Sequence, residues 1–212
     1  MLQYKTISNE TLGLLIALQK TQSLNDALLA GGTALALQLG HRKSIDLDFF
    51  GKIDADEIFL RSEFSKVGTL ITLNVNKNIK SYLIGGIKVD IVNYPYPWIY
   101  PPLIVDSLKL AQIPDIAAMK LAAICNRGSK KDFFDLAALL DIYSLNQLLD
   151  FYKQKFHDGS DFLVLRSLTW FEDAESENNP ELIKKITWKK VKEKISAALR
   201  SYIKESGLKN NS

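Results

Sequence analysis

From Ser8 to Lys20 the residues Leu12, Leu15, Ile16 and Gln19 fall at helical spacing, with Ser8 or Asn9 as the N-cap, so the chain is predicted to open on a helix. The apolar run "ALLAGG" then predicts a short buried strand ending at Gly31-Gly32. A second helix over "TALALQL" follows and stops at Gly40. In "IDLDFF" apolar and acidic residues alternate. Ile45, Leu47 and Phe49 therefore point one way, and Asp46 and Asp48 the other, with alpha carbons roughly 6.5 Å apart. "TLITLNVN" predicts another strand, and "SYLIGGIKVDIVNY" a hairpin turning at Gly85-Gly86. In the second arm of that hairpin Ile87, Val89 and Ile91 alternate with Lys88 and Asp90, which makes Asp90 a third carboxylate on a polar strand face.

After Tyr94 the pattern changes. The proline-rich "YPYPWIYPP" breaks regular structure and is expected to link the sheet to a helical region. Helices are predicted over "PDIAAMKLAAICNRG", with Gly128 after its end, and over "SKKDFFDLAALLDIY". More follow from Leu145 to Phe156, Ser160 to Trp170 and Glu181 to Lys204. The acidic "EDAESENNP" reads as a solvated loop, and the last helix as amphipathic, with Ile183, Ile186, Val191, Ile195 and Leu199 as its apolar stripe. The expected fold class is α+β. A small mixed sheet with flanking helices spans residues 1–105, and a helical lobe that closes a cleft spans 106–212.

Composition narrows the functional classes. With 212 residues and 47% hydrophobic content the chain buries a real core. A net charge of +3 permits an anionic partner without demanding one. Cys125 is the single cysteine, so no internal disulfide or cysteine-based zinc site can form, and a reducing cytoplasm fits. The first apolar run lacks a basic leader and a cleavage site, and no run reaches membrane-spanning length, so neither export nor membrane anchoring is expected. The segment from Leu182 to Lys204 carries eight Lys or Arg against one Glu, either a solvated face or a surface for RNA or an acidic partner.

Three carboxylates on one sheet face are costly unless a cation sits among them. Mg²⁺, or Mn²⁺ in its place, resolves the cost, being commonly held by one or two carboxylates together with substrate phosphates. Asp46 and Asp48 would bridge two such ions and Asp90 would hold the one that activates a nucleophile, as in nucleotidyl transfer. The competing reading is a plain wet face of an antiparallel sheet. At Gly31-Gly32-Thr33 the chain enters a helix without obstructing beta carbons, and the helix's free N–H groups suit the phosphates of an NTP. Arg42 would pair with an aspartate or phosphate, and Ser44 would donate to a phosphate oxygen. With His41 and His157 far apart in the sequence, Ser-His-Asp chemistry is not expected.

Taken together, Gly-Gly-Thr, "GHRKS", "DLD" and "KVD" resemble the nucleotidyltransferase superfamily, and within it the AbiEii/AbiGii-type toxins of bacterial abortive-infection systems. The glycine turn and Asp-x-Asp correspond to that family's first motif, and Lys88-Val89-Asp90 to its second. Lys120, Ala123 and Arg127 look like the third, and "KDFFD", Lys131 to Asp135, like the fourth. The third often opens with glutamine, where Asp115 or Ile116 stands here, and Thr33 replaces a common serine. The resemblance implies catalytic roles for Asp46, Asp48, Lys88, Asp90 and Asp132, with Lys120 and Lys131 toward the triphosphate. Asp132 also has the capping-box spacing from Ser129, and that alternative stays open. Also implied are an RNA acceptor, possibly the 3′ end of tRNA, growth arrest, and a cognate AbiEi-like antitoxin. A small molecule or a protein side chain as acceptor, or a non-catalytic nucleotide-binding module, are the alternatives.

Overall fold

The computed structural model describes residues 1–53 and 55–209, which form two compact units, residues 1–112 and 113–212. The first unit contains α1 (Asn9–Leu18), β1 (Ala27–Leu29), α2 (Gly31–Leu39), β2 (Leu47–Gly51), α3 (Glu57–Phe64), β3 (Leu70–Val75), β4 (Ile79–Ile84), β5 (Ile87–Asn93), β6 (Leu103–Val105) and β7 (Leu108–Leu110). Its strands form one mixed sheet in the order β3-β4-β5-β2-β1-β7-β6. β2 runs parallel to β5 and β1 parallel to β7, while the other neighbours are antiparallel.

The alternation read in the sequence sets the two faces of this sheet. Leu47, Phe49, Val89 and Ile91 are buried, and each contributes ~1.5–3 kcal/mol by leaving water. On the same side Tyr82 of β4 meets Phe64 of α3 edge to face at 5.5 Å. Asp48, Phe50, Lys88 and Asp90 occupy the opposite, half-wet face. Ile45 departs from the expected pattern. The strand begins only at Leu47, so Ile45 lies outside the ladder and is exposed.

Local signals fix the ends of several elements. Ser8 caps α1 by accepting the Thr11 N–H, and Gly40 ends α2 in the left-handed region at φ 65°. The β4–β5 turn uses positive φ at Gly85 and Gly86, as the dipeptide predicted. The proline-rich segment does not lead straight out of the sheet. It is followed by the β6–β7 hairpin, whose second strand returns to pair with β1.

The second unit contains α4 (Ile113–Asn126), α5 (Lys130–Leu139), α6 (Leu145–Lys155), α7 (Asp161–Ser167), α8 (Glu172–Glu175) and α9 (Trp188–Lys209). Two sequence expectations are corrected here. The last helix starts at Trp188, not Glu181, where the Thr187 hydroxyl accepts the Lys190 N–H; Ile183 and Ile186 precede it, while Val191, Ile195 and Leu199 form its buried stripe. The acidic stretch is solvent-exposed apart from Ala174 and Pro180, as expected, but it is not all loop: Glu172–Glu175 form α8, and the segment is pinned at Glu175 and Glu177. Glu175 accepts from Trp188 and Lys192, and Glu177 accepts the Lys130 backbone N–H. Trp188 itself stacks on Phe134 and meets Phe133 and Phe171.

Candidate active site

Asp48 and Asp90 are direct partners in the parallel register of β2 and β5, so their side chains leave neighbouring strands on one face, with backbones about 4.8 Å apart. Asp46 precedes the first residue of β2 by one position and is half-buried. The Lys88 ammonium donates to Asp90 Oδ2. Partial burial alone would lower the Lys88 pKa, but that bond and the charges of Asp90, Asp48 and Asp46 raise it above its ordinary value. All three carboxylates therefore act on one cation. Asp90 Oδ1 is shielded from water and has no hydrogen-bond partner, a position that a hard cation would satisfy.

The glycine turn is built against these acids. Gly31 has φ 63°, and a β-carbon there would lie 2.5 Å from Asp48 Oδ2; at Gly32 it would lie 2.3 Å from an Arg42 guanidinium nitrogen. Gly31 thus requires glycine for its backbone conformation as well as its space, whereas a side chain at Gly32 would have to displace the Arg42 guanidinium. The Ala30 N–H donates to the Asp48 carbonyl at 2.9 Å, which ties the start of α2 to β2. Thr33 is fully buried. Its hydroxyl donates to the Asp46 carbonyl and lies 2.8 Å from Ser44 Oγ. Arg42, also buried, donates to the Lys43 carbonyl at 2.9 Å and to Ser44 Oγ at 3.4 Å. Thr33, Arg42 and Ser44 therefore form the floor that fixes the turn and the first aspartate.

Fit to a divalent ion rests on Asp48, Asp90 and the unpaired Oδ1. Among the described residues no three His, Cys, Asp or Glu side chains are gathered as a ready-made cage. One or two carboxylates completed by substrate phosphates are the usual protein share of a Mg²⁺ site, and the pair meets that need.

The other predicted residues lie in the helical unit, where they form a buried ionic cluster. Lys120 on α4 is 2.9 Å from Asp132 and 2.6 Å from Asp135, both fully buried on α5. Arg127 adds its Nε at 3.0 Å to Asp132 while keeping its side chain largely exposed. Ser129 does not close the capping box that its spacing allows. Its hydroxyl instead donates directly to Asp132 at 2.6 Å. Lys131 is exposed, whereas its neighbour Lys130 is buried and bonded to the carbonyls of Glu175 and Glu177.

Burial would raise the Asp132 carboxyl, but the Lys120 charge, the Arg127 hydrogen bond and charge, and the Ser129 hydroxyl together hold it at about 2. An unfolded aspartate titrates near 3.9. The folded value is the lower one, so the group's stabilisation is complete above about pH 4 and is lost as pH falls toward 2, amounting to about 2 kcal/mol. In denaturant titrations between pH 5 and pH 2, the parent is expected to lose about that much more stability than Asp132→Asn; equal losses would contradict the cluster.

Sequence reading missed one more buried pair. Lys155 and Asp115, each fully buried, meet at 2.7 Å between α6 and α4. Burial lowers the Lys155 pKa despite the opposing effect of Asp115. The signal was present, because Lys155 lies three residues beyond Tyr152 on the stripe of Leu145, Leu148 and Leu149. A lysine on an apolar stripe asks for a buried partner.

Residues 13–206 match the family described as nucleotidyl transferase AbiEii toxin of the type IV toxin–antitoxin system. The chain is 35% identical over 196 residues to the protein aq_aa25 of Aquifex aeolicus, covering 88% of this chain and 94% of the relative. In fold it is similar to MenT4, a nucleotidyltransferase toxin of Mycobacterium tuberculosis, at a TM-score of 0.61 and 14% identity, over 90% of this chain and 81% of that one. It is similar also to JHP933 of Helicobacter pylori, at 0.54 and 20% identity, over 97% and 98%.

Proposed function

Because the chain belongs to the AbiEii family of nucleotidyl transferase toxins of type IV toxin–antitoxin systems, we propose that it transfers a nucleoside monophosphate from an NTP to the hydroxyl at the 3′ end of a tRNA. The acceptor oxygen forms a bond to the α-phosphorus, the bond from that phosphorus to the β-phosphate oxygen breaks, pyrophosphate leaves, and the acceptor loses its proton. The observation that carries this reading is the register of Asp48 opposite Asp90 beside a glycine turn whose first residue admits no side chain.

Asp46, Asp48 and Asp90 would hold Mg²⁺ or Mn²⁺, which when bound activates the attacking oxygen and stabilises the leaving one. Gly31 and Gly32 bring backbone N–H groups to the triphosphate, with Thr33, Arg42 and Ser44 holding the turn in place. Lys88 balances the acidic face before substrate arrives. Lys120 is held by two carboxylates, so on this reading it fixes Asp132, and through it Arg127. The exposed Arg127 and Lys131 are then candidates for phosphates of the RNA acceptor. Of the basic side chains on α9, Lys189 pairs with Glu193, Lys192 with Glu175 and Lys194 with Asp141, so the exposed Lys190, Arg200 and Lys204 are the better candidates for RNA phosphates. No helix among the described residues is long and apolar enough to cross a membrane. The proposal places the enzyme in the cytoplasm, restrained by a cognate AbiEi-like antitoxin, with growth arrest during phage infection as its outcome.

The test is incubation with each of four α-labelled NTPs and separate pools of RNA, protein and metabolites, with and without Mg²⁺. Label is expected in tRNA only, and only with the metal. Label confined to protein or metabolites would reject the acceptor proposed.

A further inference from the structure

Beyond the aspartates, the same sheet face carries a group of aromatic rings to which the chemistry above gives no task. Phe50 follows Asp48 by two residues on β2, and Tyr94 follows Asp90 by four at the end of β5. The Tyr94 N–H extends the ladder by donating to the Gly51 carbonyl at 2.9 Å. Alternation therefore puts both rings on the side of Asp48 and Asp90. They meet edge to face, centroids 5.2 Å apart, and Tyr94 in turn approaches Tyr96 at 5.2 Å and Trp98 at 5.6 Å.

Core packing does not account for this cluster, since the buried residues of β2 and β5 point to the opposite face. Phe50, Tyr94 and Trp98 are half-buried and Tyr96 is 46% exposed. Pro95 and Pro97 separate the rings and stop the strand from continuing, so the segment holds its aromatic side chains at a low cost in backbone entropy.

Position along β2 decides which reactant these rings face. The glycine turn lies over residues up to Asp48, with Gly31 against Asp48 and Gly32 against Arg42 and Ser44. The aromatic cluster begins beyond Asp48, on the other side of the acids. A triphosphate held at the turn leaves that side to the second reactant. Resting on the RNA acceptor proposed above, we infer that Tyr94, Tyr96 and Trp98 form a stacking platform for an unpaired base at the reactive end of the acceptor. Unstacked bases of single-stranded RNA are commonly received on Tyr, Phe or Trp faces.

The platform is tested on the full chain, without NTP, by fluorescence anisotropy of a labelled single-stranded RNA trinucleotide and of a blunt RNA duplex. Tyr96→Ala and Trp98→Ala should each raise the Kd for the single strand about tenfold, within the range reported for loss of one stacked base. Trp98→Phe should stay within about threefold of the parent, the duplex should be unaffected, and the KM for NTP should not move. Circular dichroism checks that the variants fold, and the exposed Tyr96 is the safer substitution. Unchanged Kd in both folded alanine variants would overturn the inference, as would a raised KM for NTP with an unchanged Kd for RNA. Because binding is read without turnover, a parent that binds through these rings but labels no RNA would refute the reaction and leave the platform standing.

Discussion

Asp48→Ala and Asp90→Ala are each expected to reduce nucleotidyl transfer by on the order of 10³-fold or more, and to remove toxicity. Their alpha carbons are register partners across β2 and β5 and lie beside the glycine turn, so on the proposed reaction either change would take away a carboxylate that holds the divalent ion offsetting the charge at the reacting phosphate. Stability should move by less than ~1 kcal/mol, because both side chains stand on the half-wet face and share a cation with like-charged neighbours. Steady-state transfer of label from NTP to RNA, read beside the thermal midpoint, separates the two effects. Retention of transfer within tenfold by Asp48→Ala would remove the acidic pair from the reaction.

The opposite profile is expected for Lys155→Ala. The substitution removes the ammonium of a fully buried pair with Asp115, and breaking a buried pair from one side costs about 3–5 kcal/mol. Replacing both partners with apolar residues, Lys155→Met with Asp115→Leu, should recover most of that loss, since the penalty lies in the stranded charge and not in the missing bond. Urea unfolding of the three proteins decides it. A loss under ~1 kcal/mol in the single variant would mean that water or another group reaches Asp115.

What could be read in the sequence follows from how far each signal reaches along the chain. Strands of five to seven residues such as β2 and β5 display their alternation, and with it the face of Asp48 and Asp90. β6 and β7 have three residues each, too few for a period of two to show, and their turn places Asp106 and Ser107 at positive φ without a glycine to announce it. α3 carries its own local mark, Asp56 accepting the Phe59 N–H, with Leu60 and Phe64 buried one turn apart, and its helix is legible in the sequence.

The start of α9 is hidden from the sequence for a different reason. Ile183 and Ile186 continue the spacing of Val191 and Ile195, so periodicity alone extends the helix backward past the Thr187 cap. In the site, the glycines and acids were legible because their chemistry is local. The bonds of Thr33 to Asp46, and of Lys120 to both Asp132 and Asp135, join separate elements. No pattern within one helix or strand specifies such partners. They become visible only as side chains meeting in space.

The parallel register of Asp48 and Asp90 also bears on the order in which a ribosome makes this toxin. The two acids belong to strands separated by α3, β3 and β4, and a contact spanning that length of chain forms late compared with a local hairpin. While the nascent chain ends short of Gly86 it has Asp48 and the glycine turn but not their partner. On the proposed reaction, the two acids that would carry it come together only once β5 has emerged and inserted beside β2.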